Sequence, residues 1–288
     1  MKIDLYTRCW NDSEMLDFFF RHYDPFVDRY VIYDDESTDD SLEKLAKNPK
    51  VEVRSMPTYC DMDSRILSNH AILEECWKES RFVADWVIVT DIDEHLYHPN
   101  IKHYLKVSKK QGVTIIPAMG YQMLSEVFPQ PNSLLCKILT KGAPSSEYSK
   151  LNIFAPNELD ATNFKLGRHR AQPTGNVIAP YRDELRLLHY KHIGFERLMR
   201  RHELYLTRQR KKDLENGWGN QYSWSEEQFR DEWKEFEANL IDIKNSDFKL
   251  WENKGGERWW EECTRAPRSS LSSHFRGHIR KFFSSLFS

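Results

Sequence analysis

The stretch WVIVTDIDEHLYHPN, residues 86–100, joins a short apolar run to a dense group of acidic residues. Residues 86–89 are apolar and rich in β-branched side chains, which predicts a buried strand. Asp91, Asp93 and Glu94 then follow within four positions. Carboxylates this close repel one another unless a cation offsets their charge. The pattern therefore predicts a buried strand that ends in a ligand site.

Predicted strands and helices alternate on both sides of this stretch. Such alternation over residues 1–118 builds βα units and predicts an α/β fold, with a mostly parallel sheet flanked by helices. Prolines and glycines then interrupt the pattern, and short strands and loops are expected until the chain turns helical. We expect a first domain over residues 1–192, a helical C-terminal extension packed on it over 193–265, and a basic amphipathic tail over 266–288.

Composition limits the class of partner. The 288 residues carry 42 Lys and Arg against 44 Asp and Glu, so no basic field indicates nucleic-acid binding. Five cysteines without a C-x-x-C pair argue against a disulfide framework and favour a reducing compartment. The start of the sequence lacks the apolar core of a signal peptide, and no run approaches the ~20 apolar residues of a membrane span. A cytoplasmic location is the expectation.

A second polar cluster, VIYDDESTD at residues 31–39, follows the second predicted strand. Ligands of open parallel sheets bind beyond the carboxyl ends of the strands, so the two clusters are predicted to face one crevice. Asp34 and Asp35 supply acceptors for ribose hydroxyls and for a base N–H. Thr38 and Asp39 have an alternative role as N-cap residues of the following helix.

The acidic cluster at residues 91–94 has the pattern of a metal site. Asp91 and Asp93 point the same way if the backbone stays extended, because side chains i and i+2 align. Two hard oxygen donors suit Mg²⁺ or Mn²⁺, which typically take one or two carboxylates plus substrate phosphates. An acidic turn without a ligand is the alternative. Glu94 and His95 either orient a metal ligand or only form the turn.

LYTRCWNDSEMLDFFFRHYDPFVDRYVIYDDESTDDS (residues 5–41) and DWVIVTDIDEHLY (residues 85–97) together resemble the inverting family 2-like glycosyltransferases of the GT-A fold. The resemblance is to the bacterial branch with an R-x-x-N-E start, a D-N-G-S-T-D loop and a D-x-D-E-F metal motif. It continues through GYQM, YSKLNIFAP, GRHRAQPTG, LLHYKHIGFERLMRRHELYLTR and GWGNQYSWSE, to roughly residue 240. Two positions depart from the pattern: Glu36 stands where a small residue, usually Gly, is found, and His95 where Phe or Tyr is usual.

The resemblance implies metal-dependent transfer of a sugar from a UDP-sugar, or another nucleoside-diphosphate sugar, to a glycan or lipid-linked acceptor in surface polysaccharide synthesis. On the family pattern Asp35 holds the nucleoside with Asp34 beside it, Asp91 supports the ribose or the metal, and Asp93 ligates the metal. The further donor-binding candidates are Thr7, Arg8, Asn11, Lys150, Arg168 and Lys191.

Histidines and cations late in the matched region have two interpretations each. The resemblance nominates His169 and His189 as added metal or phosphate ligands, and imidazole suits Mn²⁺ better than Mg²⁺. A partly buried imidazole bonded to the backbone is the alternative. Lys150, Arg168 and Lys191 either neutralise a diphosphate or are solvated surface charges.

An inverting transfer also needs a general base for the acceptor hydroxyl. The sequence offers Glu126, Glu158 and Asp160. Glu126 is preferred because it follows a predicted strand and a Gly-Tyr loop, where acceptor-facing residues often lie in this fold.

The tail SSLSSHFRGHIRKFFSSLFS, residues 269–288, repeats apolar residues at three- and four-residue steps, with cations beside them. This pattern suits an anionic membrane surface at the inner face of the cell membrane; a helix folded against the domain is the alternative.

Two other functions compete with transfer. A nucleotide- or carbohydrate-binding module without catalysis would be excluded by turnover of a nucleotide-sugar. A metal-dependent phosphohydrolase or nucleotidyltransferase would be expected to carry further ligands nearby, such as an H-x-H or a second D-x-D, and neither stands beside residues 91–95.

Overall fold

The computed structural model describes residues 1–57, 60–61, 63–244 and 256–267. Its strands are β1 (Ile3–Cys9), β2 (Arg29–Asp34), β3 (Val51–Ser55), β4 (Trp86–Val89), β5 (Glu94–Tyr97), β6 (Ile115–Ser125), β7 (Lys141–Pro144), β8 (Lys150–Phe154), β9 (Leu159–Ala161), β10 (Thr174–Gly175), β11 (Ile178–Ala179), β12 (Arg186–Ile193), β13 (Ile241–Asp242) and β14 (Thr264–Arg265). Its α-helices are α1 (Ser13–Tyr23), α2 (Ser41–Lys47), α3 (Arg65–Glu75), α4 (Ile101–Lys110), α5 (Leu135–Ile138), α6 (Phe195–Thr207), α7 (Lys211–Glu215) and α8 (Glu226–Ala238).

One mixed sheet of ten strands organises the chain. Four strands are parallel in the order β3-β2-β1-β4, and β8 then lies antiparallel between β4 and β6. Strand β12 is parallel to β6 and antiparallel to β5. The predicted α/β class, with a parallel sheet flanked by helices and a helical C-terminal region, is confirmed. The antiparallel strands lie mainly in the part of the chain that is rich in proline and glycine.

Both faces of the sheet are covered by apolar side chains. One buried cluster includes Phe19 of α1 and Leu105 of α4, and the opposite cluster includes Ile72 of α3 and Trp77. Because both faces are covered, β4 is buried at all four positions, which explains its uninterrupted apolar run.

The loop after β2 adopts a left-handed turn at Glu36, with φ of +61°. The Asp34 carboxylate accepts the Ser37 N–H at 3.0 Å, and Asn11 Oδ1 accepts the Thr38 N–H at 2.6 Å. Left-handed backbone costs roughly 1–2 kcal/mol for a residue with a Cβ, which is why Gly is favoured at such a position. The turn therefore keeps a glycine-like conformation although Glu occupies it.

The C-terminal helices pack over the carboxyl edge of the sheet. Phe195 and Leu198 of α6 contact Phe229 and Trp233 of α8 in a separate buried cluster. The region predicted to be a helical extension also supplies β13, which pairs with β7, and β14, which pairs with β11. No described helix is long and apolar enough to cross a bilayer. The tail, residues 269–288, lies outside the described residues.

Helix α7 is fastened to the start of α3 through the buried carboxylate of Asp213. The Ser64 hydroxyl donates to Asp213 Oδ1 at 2.5 Å, and the Arg65 N–H donates to Asp213 Oδ2 at 2.9 Å. Ser64 Oγ in turn accepts the Leu67 N–H and so caps α3.

Replacing this carboxylate is predicted to destabilise the fold. Asp213→Ala is expected to lower the free energy of unfolding by about 2–4 kcal/mol, because a buried hydroxyl and a main-chain N–H lose their acceptor. Urea denaturation measures the loss. Asp231→Ala, on the exposed face of α8, is the matched control and is expected to change stability by less than about 0.5 kcal/mol. Equal losses in the two variants would contradict this role of Asp213.

Candidate active site

A cavity of about 230 Å³ lies at the carboxyl ends of β1, β2 and β4, beneath α6. Its charged lining has more cations than carboxylates. The cations are Arg8, Arg65, Lys191, Arg197, Arg201 and Arg208. The carboxylates are Asp12, Asp35, Asp91 and Asp93. The structure thus brings residues of both acidic clusters into one crevice, whose cations suit an anionic ligand.

The backbone after β4 turns instead of staying extended. The Glu94 N–H donates to the Asp91 carbonyl at 3.0 Å, which closes a tight turn before β5 pairs with β12. The expected i, i+2 alignment of Asp91 and Asp93 in extended backbone is therefore wrong. Both side chains still line the cavity, because the turn itself bends around it.

Glu94 lies in the protein interior and holds two buried cations. Its carboxylate is 2.6 Å from Lys150 Nζ and 2.7 Å from an Arg168 guanidinium nitrogen. Burial alone would raise the pKa of Glu94, but Arg168 and Lys150 lower it well below its ordinary value. Lys150 and Arg168 are thus fixed by Glu94, and the structure places neither of them as a free cation for a diphosphate.

The two aspartates of the motif have different electrostatic surroundings. Asp91 lies 2.9 Å from an Arg8 nitrogen and 3.0 Å from an Arg168 nitrogen. Burial raises its pKa, but Arg168 and Arg8 outweigh this and hold the pKa at about 2. Burial, followed by repulsion from Asp91 and Glu94, raises the pKa of Asp93 to about 7. Arg197 offsets the charge of Asp93 only in part, so the carboxylate keeps a raised pKa.

His189 of β12 faces Asp93. Its Nε2 atom lies 3.7 Å from Asp93 Oδ2, and it is the one basic side chain of the described residues within 4 Å of that carboxylate. His189 Nδ1 bonds to Gln122 Oε1 at 2.7 Å, while the Gln122 amide donates to the Met123 and His189 carbonyls. Nδ1 is thus the protonated nitrogen, and burial, which lowers the pKa of His189, keeps the ring neutral.

An oxygen donor and an unprotonated imidazole nitrogen that face each other fit a divalent cation, Mn²⁺ in particular. Gln122 fixes the ring orientation, as metal-binding histidines require. No group of three or more His, Cys, Asp or Glu side chains forms a ready-made metal cage in the described part of the chain. Asp93 and His189 would therefore leave other coordination positions to substrate oxygens and water.

Several residues predicted from the sequence lie elsewhere. The buried Thr7 hydroxyl donates to the Arg8 carbonyl at 3.3 Å, and Asn11 ties two loops together; neither lines the cavity. His169 bonds through Nδ1 to the Glu147 carbonyl, in a neighbouring cavity. His95 is buried in an aromatic cluster. These residues match the family motifs by their positions in the sequence, but packing in the folded chain determines where their side chains point.

The three residues predicted as general base line neither this cavity nor the neighbouring one. Glu126 is 58% exposed and pairs with Arg230 at 2.8 Å. Asp160 is exposed, and Glu158 accepts the Asn176 amide at 2.8 Å. Glu126 faces outward because α6 and α8 close around the end of β6, with the Phe195 N–H bonded to the Glu126 carbonyl at 3.0 Å. The structure therefore places neither Glu126 nor Asp160, the residues predicted to be catalytic, at the cavity.

Helix α6 and Arg208, the residue that follows it, contribute side chains that the sequence interpretation missed. Arg201 donates to Asp12 at 2.8 Å, and Arg208 lies 4.1 Å above the Trp10 ring and 2.9 Å from Asp35. Arg201, Tyr205 and Arg208 are spaced by four and three residues, so they share one helix face. That spacing is visible in the sequence, but only the fold shows that this face covers the cavity.

Comparison with known proteins gives weak similarities only. No protein-family model and no curated protein matches the sequence. TarS from S. aureus (residues 1–349) in complex with UDP-GlcNAc aligns at 13% identity over 72% of this chain and 66% of TarS, with a TM-score of 0.36. Another structure of that TarS fragment aligns over 47% of its length, with a TM-score of 0.30. Glucosyl-3-phosphoglycerate synthase from Mycobacterium tuberculosis, in complex with Mn²⁺, UDP and phosphoglyceric acid, aligns at 17% identity over 41% of this chain and 43% of the synthase, with a TM-score of 0.30. Similarity at this level does not establish a family.

The buried charges around Glu94 generate a stability prediction. Glu94→Gln is expected to lower the free energy of unfolding by about 3–5 kcal/mol, because Lys150 and Arg168 lose their buried counter-charge. Chemical denaturation followed by circular dichroism measures it. The control is Glu126→Gln, which breaks an exposed ion pair and is expected to cost less than about 1 kcal/mol. A Glu94 variant as stable as the control would show that Glu94 does not organise the site.

Proposed function

We propose that this protein is a metal-dependent glycosyltransferase of the GT-A type. It transfers a sugar from a nucleoside-diphosphate sugar, with a UDP-sugar as the preferred donor, to a glycan or lipid-linked acceptor. The observation that carries the proposal is the Asp93 carboxylate, which faces the unprotonated nitrogen of His189 inside a cavity rich in arginine. Arginines line the cavity, but none of the described ones lies within 4 Å of the Asp93 carboxylate. Such a carboxylate suits a metal ion held between the protein and an anionic substrate.

Asp93 and His189 hold the Mn²⁺ or Mg²⁺ ion in this proposal. When bound, the ion offsets the negative charge that develops on the diphosphate leaving group. Arg201, Arg208 and Lys191 line the cavity and replace Lys150 and Arg168 as the cations that face the diphosphate. Asp91 ties Arg8 and Arg168 together and so supports the turn that presents Asp93.

The nucleoside is assigned to the part of the cavity near β1 and β2. Trp10 offers a ring face for a base, and Asp35 offers acceptors for a base N–H or a ribose hydroxyl. Arg208 contacts both the Trp10 ring and the Asp35 carboxylate, and its guanidinium would shift when a base stacks on Trp10. Asp34 shapes the turn below through its bond to the Ser37 N–H.

Further parts of the proposal rest on the resemblance of the sequence motifs. These are inversion at the anomeric carbon, a role in surface polysaccharide synthesis, and a cytoplasmic location at the inner face of the cell membrane. The division into a donor-binding domain over residues 1–192 and an extension over 193–265 belongs to the same proposal, as does membrane contact through residues 269–288.

Removal of the Asp93 charge tests the metal site. Asp93→Asn is expected to weaken UDP binding in Mn²⁺ by more than about 100-fold and to abolish transfer, because a direct ligand is lost. Stability should stay equal or rise, since the substitution removes a carboxylate that Asp91 and Glu94 repel. Titration calorimetry with UDP, in Mn²⁺ and in EDTA, measures the binding. Asp160→Asn is the control on the exposed surface.

The outcomes separate the competing functions. Equal UDP affinity in Mn²⁺ and in EDTA would contradict the metal site. UDP binding that depends on Mn²⁺, without release of UDP from any UDP-sugar, would favour a binding module. Release of inorganic phosphate from UDP would favour a phosphohydrolase.

The two histidines nominated by the sequence are predicted to differ. His189→Gln is expected to weaken Mn²⁺ binding in the presence of UDP by about 10-fold or more, and Mg²⁺ binding by less, because imidazole favours the softer ion. His169→Gln is expected to leave both unchanged, since its Nδ1 atom is bonded to the Glu147 carbonyl. Electron paramagnetic resonance of free Mn²⁺ reports the affinity. Equal effects of the two substitutions would contradict the assignment.

A further inference from the structure

A second cavity, of about 670 Å³, adjoins the first. The two share lining residues, among them Asp91, His189 and Lys191. Away from these shared residues, the second cavity is walled by half-buried aromatic side chains of Tyr148, Trp218 and Trp224. The chain therefore places an aromatic chamber directly beside the site assigned to the donor.

A β-bulge in β12 connects the two cavities. His189 pairs with Gln122 and His192 pairs with Leu124, so three steps along β12 match two steps along β6. Paired residues point to the same face of a sheet, and Gln122 and Leu124 share a face because they are two apart. The extra residue thus brings His189 and His192, which would otherwise point to opposite faces, onto one side. His189 faces Asp93, and His192 faces Glu232 of α8.

His192 holds the Glu232 carboxylate at the wall of the second cavity. His192 Nε2 is 2.9 Å from Glu232 Oε2, and His192 Nδ1 has no hydrogen-bond partner among the described residues. Burial lowers the pKa of His192, so the neutral ring carries its proton on Nε2 and donates it to the carboxylate. Burial raises the pKa of Glu232, but the bond to His192 together with the electrostatic effects of His192 and Lys191 lowers it below its ordinary value, so Glu232 is ionised at neutral pH. The Glu232 side chain remains 23% exposed.

The other carboxylates of this cavity are placed less well for a proton transfer inside it. Asp91 is bound to two arginines, and Glu147 is 75% exposed at the rim. Glu232 and Asp93 both act on the hydroxyl of Tyr148, which connects Glu232 with the site assigned to the donor. The Tyr148 ring lies 4.2 Å from the His189 ring, and after burial the charges of Glu232 and Asp93 are the next causes that raise the pKa of its hydroxyl.

Tyr148 reaches this position because β6 carries a glycine opposite it. A Cβ at Gly120 would collide with the Tyr148 backbone. Aromatic faces beside a hydrogen-bonding carboxylate suit a ligand with flat apolar faces and hydroxyl edges, and a pyranose ring has both.

We propose that the second cavity receives a carbohydrate acceptor and that Glu232, oriented by His192, is the general base of the transfer. This inference rests on the proposed function. Glu232 takes the proton of the acceptor hydroxyl while that oxygen bonds to the anomeric carbon of the donor sugar. The bond from the anomeric carbon to the β-phosphate oxygen breaks, and its electron pair leaves with the nucleoside diphosphate. Glu232 then releases the proton to solvent.

The first experiment compares Glu232→Gln with Glu237→Gln in the full chain. Glu237 is exposed on the same helix and is the matched control. UDP release is measured with Mn²⁺, using UDP-glucose or UDP-N-acetylglucosamine as donor and methyl glucosides as acceptor probes. Glu232→Gln is expected to lower kcat by about 100-fold or more, since an amide does not accept the proton. The Kd of UDP should change by less than twofold, because the donor cavity is intact.

The second experiment tests the cavity and the positioning residue. Saturation-transfer NMR should detect methyl glucoside on the wild-type protein with UDP and Mn²⁺, and Trp218→Ala should remove most of that signal. His192→Leu is expected to lower kcat about 10-fold with little change in UDP binding, and His192→Gln, which keeps an N–H donor, should recover most of it.

The outcomes distinguish this inference from the proposed function. A Glu232→Gln variant that transfers sugar at the wild-type rate would overturn the base while the proposed function stands. Absence of a methyl glucoside signal on wild-type protein that binds UDP would overturn the carbohydrate acceptor. Wild-type protein that neither binds UDP in Mn²⁺ nor releases it from either donor would overturn the proposed function, and this inference with it.

Discussion

The buried interaction of Glu94 with Arg168 and Lys150 is the constraint on which the site depends. These groups come from three separated parts of the chain, and their side chains are almost entirely shielded from water. Removing such charges from water is costly unless each is paired. The pairing therefore fixes the turn after β4 against β8 and against the loop that carries Arg168. That turn presents Asp91 and Asp93 to the cavity.

The same cations divide the acidic motif into two chemically different carboxylates. Arg168 extends from Glu94 to Asp91, where Arg8 joins it, so Asp91 is neutralised by the protein itself. Asp93 receives no such partner within the described structure and faces the imidazole of His189. Burial, followed by repulsion from Asp91 and Glu94, raises the pKa of Asp93, and a bound cation would offset this cost of its charged form. A stable buried network thus supports an unsatisfied group at the surface of the cavity.

The C-terminal helices supply part of the lining of both cavities at the edge of the sheet. Helix α6 lies over the ends of β1 and β2 and supplies Arg201, Arg208 follows its last residue, and α8 supplies Glu232. The bulge in β12 lets one strand serve both cavities, because it sets His189 and His192 on one face. The helical region is therefore part of the proposed chemistry, and its attachment through Asp213 to the start of α3 positions it.

The sequence alone determined the fold class and the edge of the sheet at which the cavity lies. The apolar run of β4 and the acidic residues after it predicted a buried strand that ends at a site, since periodicity and strand-end position are local properties. The partners of Lys150, the outward direction of Glu126 and the position of Glu232 beside His192 were decided only by the tertiary structure. Side-chain direction and charge pairing depend on residues that are distant in sequence, such as Glu94 and Lys150, 56 positions apart. Spacing within a segment carries no information about such pairs.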